Sequence, residues 1–113
     1  MRLDIEGKHI TLAPHLMGWI VERLEDLNTP YDDIHEARVT FVQQGRRDAV
    51  CIELLLTGKS LHVTRRGATP DAAVDAAFRV VQQELHDVRA ARRAPMPIAA
   101  GKAARSASQA EVG

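Results

Sequence analysis

Residues 61–75, LHVTRRGATPDAAVD, hold the end of one predicted strand and the start of a long predicted helix. Apolar and polar side chains alternate over residues 61–64, which is typical of a strand with one buried face. Gly67 interrupts the alternation. Thr-Pro-Asp at residues 69–71 indicates a helix start, because Thr caps well, Pro suits the first helical position and an acidic residue stabilises the first turn. A strand that leads directly into a helix is therefore predicted here.

Two further strands precede this stretch, and a hairpin joins each neighbouring pair. Residues 37–42 and 50–56 alternate in the same way as residues 61–64. The segment Gln44–Asp48 is a predicted hairpin loop, and Gly58-Lys59 is a predicted tight turn. Because hairpins pair strands antiparallel, these three strands are expected to form an antiparallel sheet.

Each of the two predicted helices has one apolar face. Residues 2–6 form a short first strand, and a helix begins near Pro14. Its apolar side chains recur every three or four residues: Leu16, Ile20, Leu24 and Leu27. The second helix has a longer stripe of the same kind: Val74, Ala77, Phe78, Val81, Leu85 and Val88. Both stripes are expected to pack on the sheet.

The element order is β-α-β-β-β-α, which predicts an α+β fold with a four-stranded sheet and two helices on one face. The first two strands are joined through a helix, so they can lie parallel. Residues 1–93 are expected to form one domain. Residues 94–113 are rich in Ala, Ser, Pro and Gly without periodicity, so they predict a disordered tail.

The charges cancel overall but are unevenly spread. Lys plus Arg and Asp plus Glu each number 15, which argues against non-specific coating of nucleic acid. Residues 22–36 are acidic, whereas residues 38–66 are mainly basic, so a local basic surface is compatible with this balance. No stretch is long and apolar enough for a signal peptide or a membrane span, and a cytoplasmic protein is expected.

The sequence offers no catalytic constellation, no metal-ligand spacing and no cofactor motif. None of its five histidines has the spacing of a metal motif, and it has neither a Gly-rich phosphate loop nor a nucleophile elbow. Cys51 lies within a predicted strand, where a structural thiol is the better interpretation. The chain is therefore not expected to be an enzyme, and the apolar helix stripes are better explained by packing than by membrane binding.

One flank of the second helix is basic. Arg79, Gln82, His86, Arg89 and Arg93 are three or four residues apart, so they form a stripe beside the apolar one. Arginine binds phosphate oxygens in a bidentate manner, so the stripe could follow a nucleic-acid backbone. A solvated helix flank is the alternative. No aromatic residue is obviously placed for base stacking, which favours structured RNA over single strands.

Two stretches of the chain resemble the short ribosome hibernation-promoting factors and ribosome-associated inhibitors, also called sigma-54 modulation proteins. Residues 3–7, Leu-Asp-Ile-Glu-Gly, are similar to the L-x-I-x-G opening of that family, and the match continues through Leu16, Leu24, Tyr31 and Ile34. Residues 61–64, Gly67 and residues 72–75 resemble the strand-to-helix pattern of the family, I-H-A-S-x-x-G-x-D-x-Y-x-A-I-D. The resemblance covers roughly residues 2–93.

The resemblance implies a fold similar to double-stranded RNA-binding domains and a role in ribosome hibernation. The expected partner is the small ribosomal subunit and its RNA, not DNA or a membrane. Binding in the channel of messenger and transfer RNA would block translation in starvation or stationary phase. The residues expected to bind RNA are Lys8, Arg23, Arg65, Arg66, Arg79, Arg89, Arg92 and Arg93. Reversing the charges of Arg89 and Arg93 is expected to abolish binding without unfolding the domain.

The chain also departs from the family at positions where bases are common. These positions hold Asp26, Val80, Gln83 and Asp87. The alternative hypothesis is therefore a diverged protein-interaction module that has lost ribosome binding and binds a protein partner or itself, through the sheet face or the acidic residues 22–36. Val42 and Leu55 on the otherwise polar sheet face support this alternative, since a homodimer through that face would cover them.

Overall fold

Six elements follow one another in the predicted order. The computed structural model describes residues 1–8 and 12–93, with side chains described up to Arg92, and the predicted tail at 94–113 lies outside the described residues. The elements are β1 (Arg2–Lys8), α1 (Pro14–Asn28), β2 (Ile34–Gln44), β3 (Arg47–Leu56), β4 (Lys59–Gly67) and α2 (Pro70–Arg93). The predicted α+β class is confirmed.

The four strands form one mixed sheet in the order β1-β2-β3-β4. β1 pairs with β2 in parallel, and α1 is the connection between them, as predicted. β2 with β3 and β3 with β4 pair antiparallel. The predicted topology, in which one parallel pair is joined through α1 and two antiparallel pairs are joined by hairpins, is therefore confirmed.

Both hairpin turns differ from the prediction. The first is shorter than predicted, and the second begins one residue earlier. β2 continues to Gln44 and β3 begins at Arg47, so the turn is Gly45-Arg46 and not the five residues that were expected. The second turn is Thr57-Gly58, since Leu56 pairs with Lys59. Gly45 and Gly58 have φ of +63° and +74°, which a residue without a Cβ adopts at little cost, and this fixes both turns.

The start of β2 also differs from the expectation. The sequence predicted this strand from residue 37, whereas Ile34 is buried and already begins it. Asn28, the last residue of α1, accepts a hydrogen bond from the backbone N–H of Ile34 on its Oδ1 at 2.9 Å. This bond ties the end of α1 to the start of β2.

The core lies between the sheet and the two helices. The predicted stripe of α1 contributes Leu16, Ile20 and Leu24, and Leu27 is half-buried. The stripe of α2 is buried from Val74 to Leu85 and packs against the inward-facing side chains of the strands, which are Ala37, Val39, Phe41, Val50, Ile52, Leu54, Leu56, Leu61 and Val63. Within the described residues, no helix has the length and apolar character needed to cross a membrane.

The junction between β4 and α2 is closely packed. Thr69 caps α2 as predicted, since its Oγ1 accepts a hydrogen bond from the N–H of Ala72 at 3.1 Å. Gly67 lies so near the helix that an added Cβ would be 2.6 Å from the backbone nitrogen of Ala73. Close approach of strand and helix therefore requires glycine at residue 67.

Candidate nucleic-acid interface

Three of the predicted RNA-binding residues lie at one end of the sheet. Lys8 is the last residue of β1, and Arg65 and Arg66 lie near the end of β4. Lys8 pairs with Val42, which pairs with Ala49, which pairs with Arg66. The Cα atoms of Lys8 and Arg66 are therefore three strand spacings, or about 14 Å, apart in one row.

The β2–β3 turn adds two more bases to this end. Arg46 and Arg47 are exposed, and the turn lies at the end where β1, β2 and β4 stop. We call Lys8, Arg46, Arg47, Arg65 and Arg66 the basic sheet end. Arg46 and Arg47 were not among the predicted RNA-binding residues, although the antiparallel pairing of the hairpin strands was the signal that could have placed them there.

The side chains of the basic sheet end are mostly turned to solvent. Among the described residues, Lys8 and Arg66 form no hydrogen bond or ion pair, and Arg65 donates from Nη1 to the carbonyl of its neighbour Thr64 at 2.7 Å. Asp48 on β3 is an acid near this end of the sheet, and it is half-buried. The donors of this surface are therefore available to an external anion.

Arg23 and Arg79 lie on the two helices, away from the basic sheet end. The Cζ of Arg23 lies 5.5 Å from the ring centroid of Trp19 and 5.2 Å from that of Phe78, so its guanidinium makes cation–π contacts with both helices. Arg79 is highly exposed and donates from Nε to Asp75 at 3.1 Å, one turn earlier. Its two terminal nitrogens face solvent, whereas Arg23 is half-buried.

A groove of about 600 Å³ runs between the C-terminal halves of the two helices. It is lined by Asp26, Leu27, Pro30, Tyr31, Arg79, Gln82, Gln83, Leu85, His86 and Arg89. The predicted basic stripe of α2 thus borders a real depression. Asp26 on its opposite wall makes the groove less favourable to phosphate than the basic sheet end.

Arg89 does not lie in the solvent-facing stripe where the sequence placed it. Its side chain is 9% exposed, and its guanidinium donates to Asp33 twice, from Nε to Oδ2 at 3.0 Å and from Nη2 to Oδ1 at 2.5 Å. Nη2 also donates to the carbonyl of Leu27 at 2.9 Å, and the Cζ lies 4.4 Å from the ring centroid of Tyr31. Arg89 therefore joins α2 to the α1–β2 connection, which corrects the predicted placement.

Asp33 is the centre of this buried polar contact. The hydrogen bond from Arg89 lowers the pKa of the Asp33 carboxyl below its ordinary value, although partial burial opposes this effect. Arg92 also approaches, with Nη1 3.7 Å from Oδ2 of Asp33 and Nη2 bonded to the carbonyl of Thr57. Arg93 ends α2, and its side chain lies outside the described part of the chain.

A cluster that was not predicted from the sequence lies on the sheet face away from the helices. One ligand atom each of Cys51, Glu53 and His62 lies within 4.8 Å of the other two. These residues come from two strands, so no spacing along the sequence could show them as a motif. They are of the kinds that bind transition metals.

Comparison with known proteins gives both a family and similar folds. The model of the family described as "Sigma 54 modulation protein / S30EA ribosomal protein" matches residues 3–93. A ribosomal subunit interface protein from Coxiella burnetii is similar in structure, with a TM-score of 0.73, 17% identity, and coverage of 80% of this chain and 99% of that one. The Thermus thermophilus Protein Y N-terminal domain gives a TM-score of 0.70, 20% identity, and coverage of 79% and 100%. No curated protein sequence matches the chain at a significant level.

Proposed function

Because the chain belongs to the sigma-54 modulation protein / S30EA ribosomal protein family, we propose that it is a ribosome-associated hibernation factor that binds the RNA of the small subunit. The resemblance found in the sequence is confirmed by this membership, and the family is not one of enzymes. The protein would act by occupancy, so no bond is made or broken. Its cytoplasmic location would follow from its partner.

The basic sheet end is the observation that carries the RNA part of this proposal. Its five bases come from β1, β3, β4 and the β2–β3 turn, and their positive charge is concentrated at one end of the sheet although the chain has no net charge. Arginine and lysine donors that are not committed within the fold can bind phosphate oxygens. The name of the Coxiella burnetii protein places that protein at a ribosomal subunit interface, which agrees with such a surface.

The remaining predicted residues take different parts in the proposal. Arg79 would add a phosphate contact beside the interhelical groove. Arg23 would add another through its N–H groups, while its guanidinium stays against the ring of Trp19. Arg89 would position the end of α2, with Arg92 beside it, since the guanidinium of Arg89 is bound by Asp33. Arg93 remains a predicted contact. Blocking of messenger and transfer RNA in starvation or stationary phase is the expected consequence of binding.

Co-sedimentation with purified ribosomal subunits at low and moderate salt tests the proposal. The wild-type protein should migrate with the small subunit and be released as salt rises, because phosphate contacts release counterions. The double variant Arg65→Glu/Arg66→Glu should stay at the top of the gradient. The matched control Arg2→Glu/Lys59→Glu makes the same change in charge on exposed residues at the opposite end of the sheet, and it should sediment like the wild type.

Two results would overturn the proposal in different ways. Wild-type protein that remains at the top of the gradient at both salt concentrations would exclude ribosome binding. An equal loss of co-sedimentation with the small subunit in the two double variants would exclude the basic sheet end as the contact surface.

A protein-interaction module is the second candidate, and one exposed apolar side chain favours it. Leu55 is 46% exposed on the uncovered sheet face, between Glu36 on β2 and Ser60 on β4. Val42, the other apolar residue expected there, is half-buried. A homodimer through this face would be detected as a doubled mass in sedimentation equilibrium, and Leu55→Ser would abolish it.

A further inference from the structure

We infer that Cys51, Glu53 and His62 form a zinc site on the sheet face that the helices leave uncovered. This site is separate from the basic sheet end, and it does not depend on ribosome binding. Its basis is the register of two strands, the distances between three ligand atoms and the chemistry of those atoms.

The pairing of β3 with β4 brings the three side chains together. Glu53 lies directly opposite His62, and Cys51 lies opposite Thr64. Because Cys51 and Glu53 are two residues apart on one strand, their side chains share a face, and His62 reaches the same face from the neighbouring strand. The backbone ladder fixes the three Cα positions before any ion binds, which favours a preorganised site.

The ligand atoms already have nearly the spacing of a metal site. Sγ of Cys51 lies 2.8 Å from Nε2 of His62, and all three ligand atoms lie within 4.8 Å of one another. Zinc binds sulfur at about 2.3 Å and nitrogen or oxygen at about 2.0–2.2 Å, so ligands of a tetrahedral ion are about 3.3–3.6 Å apart. This separation lies between the observed Sγ–Nε2 distance of 2.8 Å and the upper limit of 4.8 Å for all three distances, so small side-chain rotations would complete the tetrahedral geometry.

The chemistry of the three atoms selects the ion. A thiolate, an imidazole and a carboxylate together are typical of zinc and its first-row neighbours, whereas Mg²⁺ and Ca²⁺ require oxygen ligands. Cys51 is half-buried, while Glu53 and His62 are exposed, so an ion can enter from solvent. A water molecule would take the fourth position, because the face is open.

The neighbouring charges permit a cation at this place. Arg38 on β2 approaches Glu53 with Nη1 3.8 Å from Oε1, but it is closer to Glu36, with Nη2 3.4 Å from Oε2. An ion pair between such exposed side chains contributes little free energy. Glu53 can therefore turn from Arg38 to a metal ion, and Glu36 remains to balance the arginine.

Titration of the full chain, prepared without a histidine tag, with Co²⁺ and then Zn²⁺ tests the inference. Cobalt reports the ligands, because a bound thiolate gives a charge-transfer band in the near ultraviolet that an imidazole or carboxylate does not. We expect one Co²⁺ per chain, the charge-transfer band, and displacement by Zn²⁺ but not by Mg²⁺. Circular dichroism of each variant checks that the fold is kept.

The variants separate a site from adventitious binding. Cys51→Ser should remove the band, and His62→Gln and Glu53→Gln should each weaken Co²⁺ binding by more than about tenfold, since even the loss of an outer-shell partner costs that much. His86→Gln changes an exposed histidine on α2 and should bind cobalt like the wild type. Absence of the band in the wild type, or Co²⁺ binding as tight as that of the wild type in both Cys51→Ser and His62→Gln, would overturn the inference.

Discussion

The guanidinium of Arg89 and the carboxylate of Asp33 form a two-point ion pair that joins the C-terminal part of α2 to the segment before β2. The two hydrogen bonds measure 3.0 and 2.5 Å, and both side chains are largely buried. A buried pair of this kind stabilises a structure only while both partners remain, because either one alone is an uncompensated charge. Arg89 is thus a structural residue in a stripe that sequence spacing alone would assign to RNA.

Replacing Asp33 should therefore destabilise the domain. We expect Asp33→Asn to lower the free energy of unfolding by about 2–3 kcal/mol, because it leaves the guanidinium of Arg89 buried without its counter-charge. Urea denaturation followed by circular dichroism measures this change. Asp75→Asn is the matched control: it breaks the exposed pair with Arg79 and should cost less than about 0.5 kcal/mol. Equal effects of the two variants would contradict the structural role of Asp33.

The stability that Asp33 contributes should depend on pH in a defined direction. Its pKa is lower in the folded state than in the unfolded state, where aspartate titrates near pH 3.9. The contribution is therefore complete above that value and is lost as the pH falls through the lower folded-state pKa. The difference in unfolding free energy between wild type and Asp33→Asn should be constant from about pH 7 to pH 5 and shrink towards pH 3.

Because of the same ion pair, a charge reversal at Arg89 should affect the stability of the fold as well as RNA binding. The sequence suggested that reversal of Arg89 and Arg93 would abolish binding and leave the fold intact. We now expect Arg89→Glu to destabilise the domain, since two carboxylates would face each other at residues 33 and 89. Thermal unfolding of the single variant measures this, and an unchanged midpoint would restore the original expectation.

The sequence predicted the elements and their order because local signals were strong. The stripe from Val74 to Leu85 and the cap at Thr69 are properties of adjacent residues, and both are found in the structure. Arg89 was predicted on the solvent-facing flank of α2. It follows Leu85 by four residues, so it lies at the border between the apolar face and that flank. Its partner Asp33 is 56 residues away, which no local pattern reveals.

The Cys51–Glu53–His62 cluster depends on the exact position of the turn between β3 and β4. A turn at Gly58-Lys59 would place His62 opposite Leu55, whereas the observed turn at Thr57-Gly58 places it opposite Glu53. A shift of the turn by one residue moves every cross-strand partner by two. Strands could therefore be predicted from alternation, but a site between strands also required the correct turn.

Two glycines should respond in opposite ways to alanine. In Gly67→Ala the new Cβ would lie 2.6 Å from the backbone nitrogen of Ala73, so β4 and α2 must separate, at a cost of about 1–3 kcal/mol. Gly18 lies within α1 with no atom within 4 Å of an added Cβ, so Gly18→Ala should stabilise by up to about 1 kcal/mol. Urea denaturation of both variants measures the difference, and the same sign for both would contradict the close packing at Gly67.

Removing single charges from the basic sheet end should change the salt dependence of ribosome binding. Each phosphate contact contributes about 0.7–0.9 to the slope of log K against log salt concentration. Arg65→Gln and Arg66→Gln should therefore each reduce the slope by roughly that amount, measured by equilibrium binding to labelled small subunits. Lys59→Gln removes an exposed charge at the other end of β4 and should leave the slope unchanged. If the arginine variants bind more weakly but the slope is unchanged, these side chains contact no phosphate. The RNA contact surface would then be expected along Arg79 and the interhelical groove.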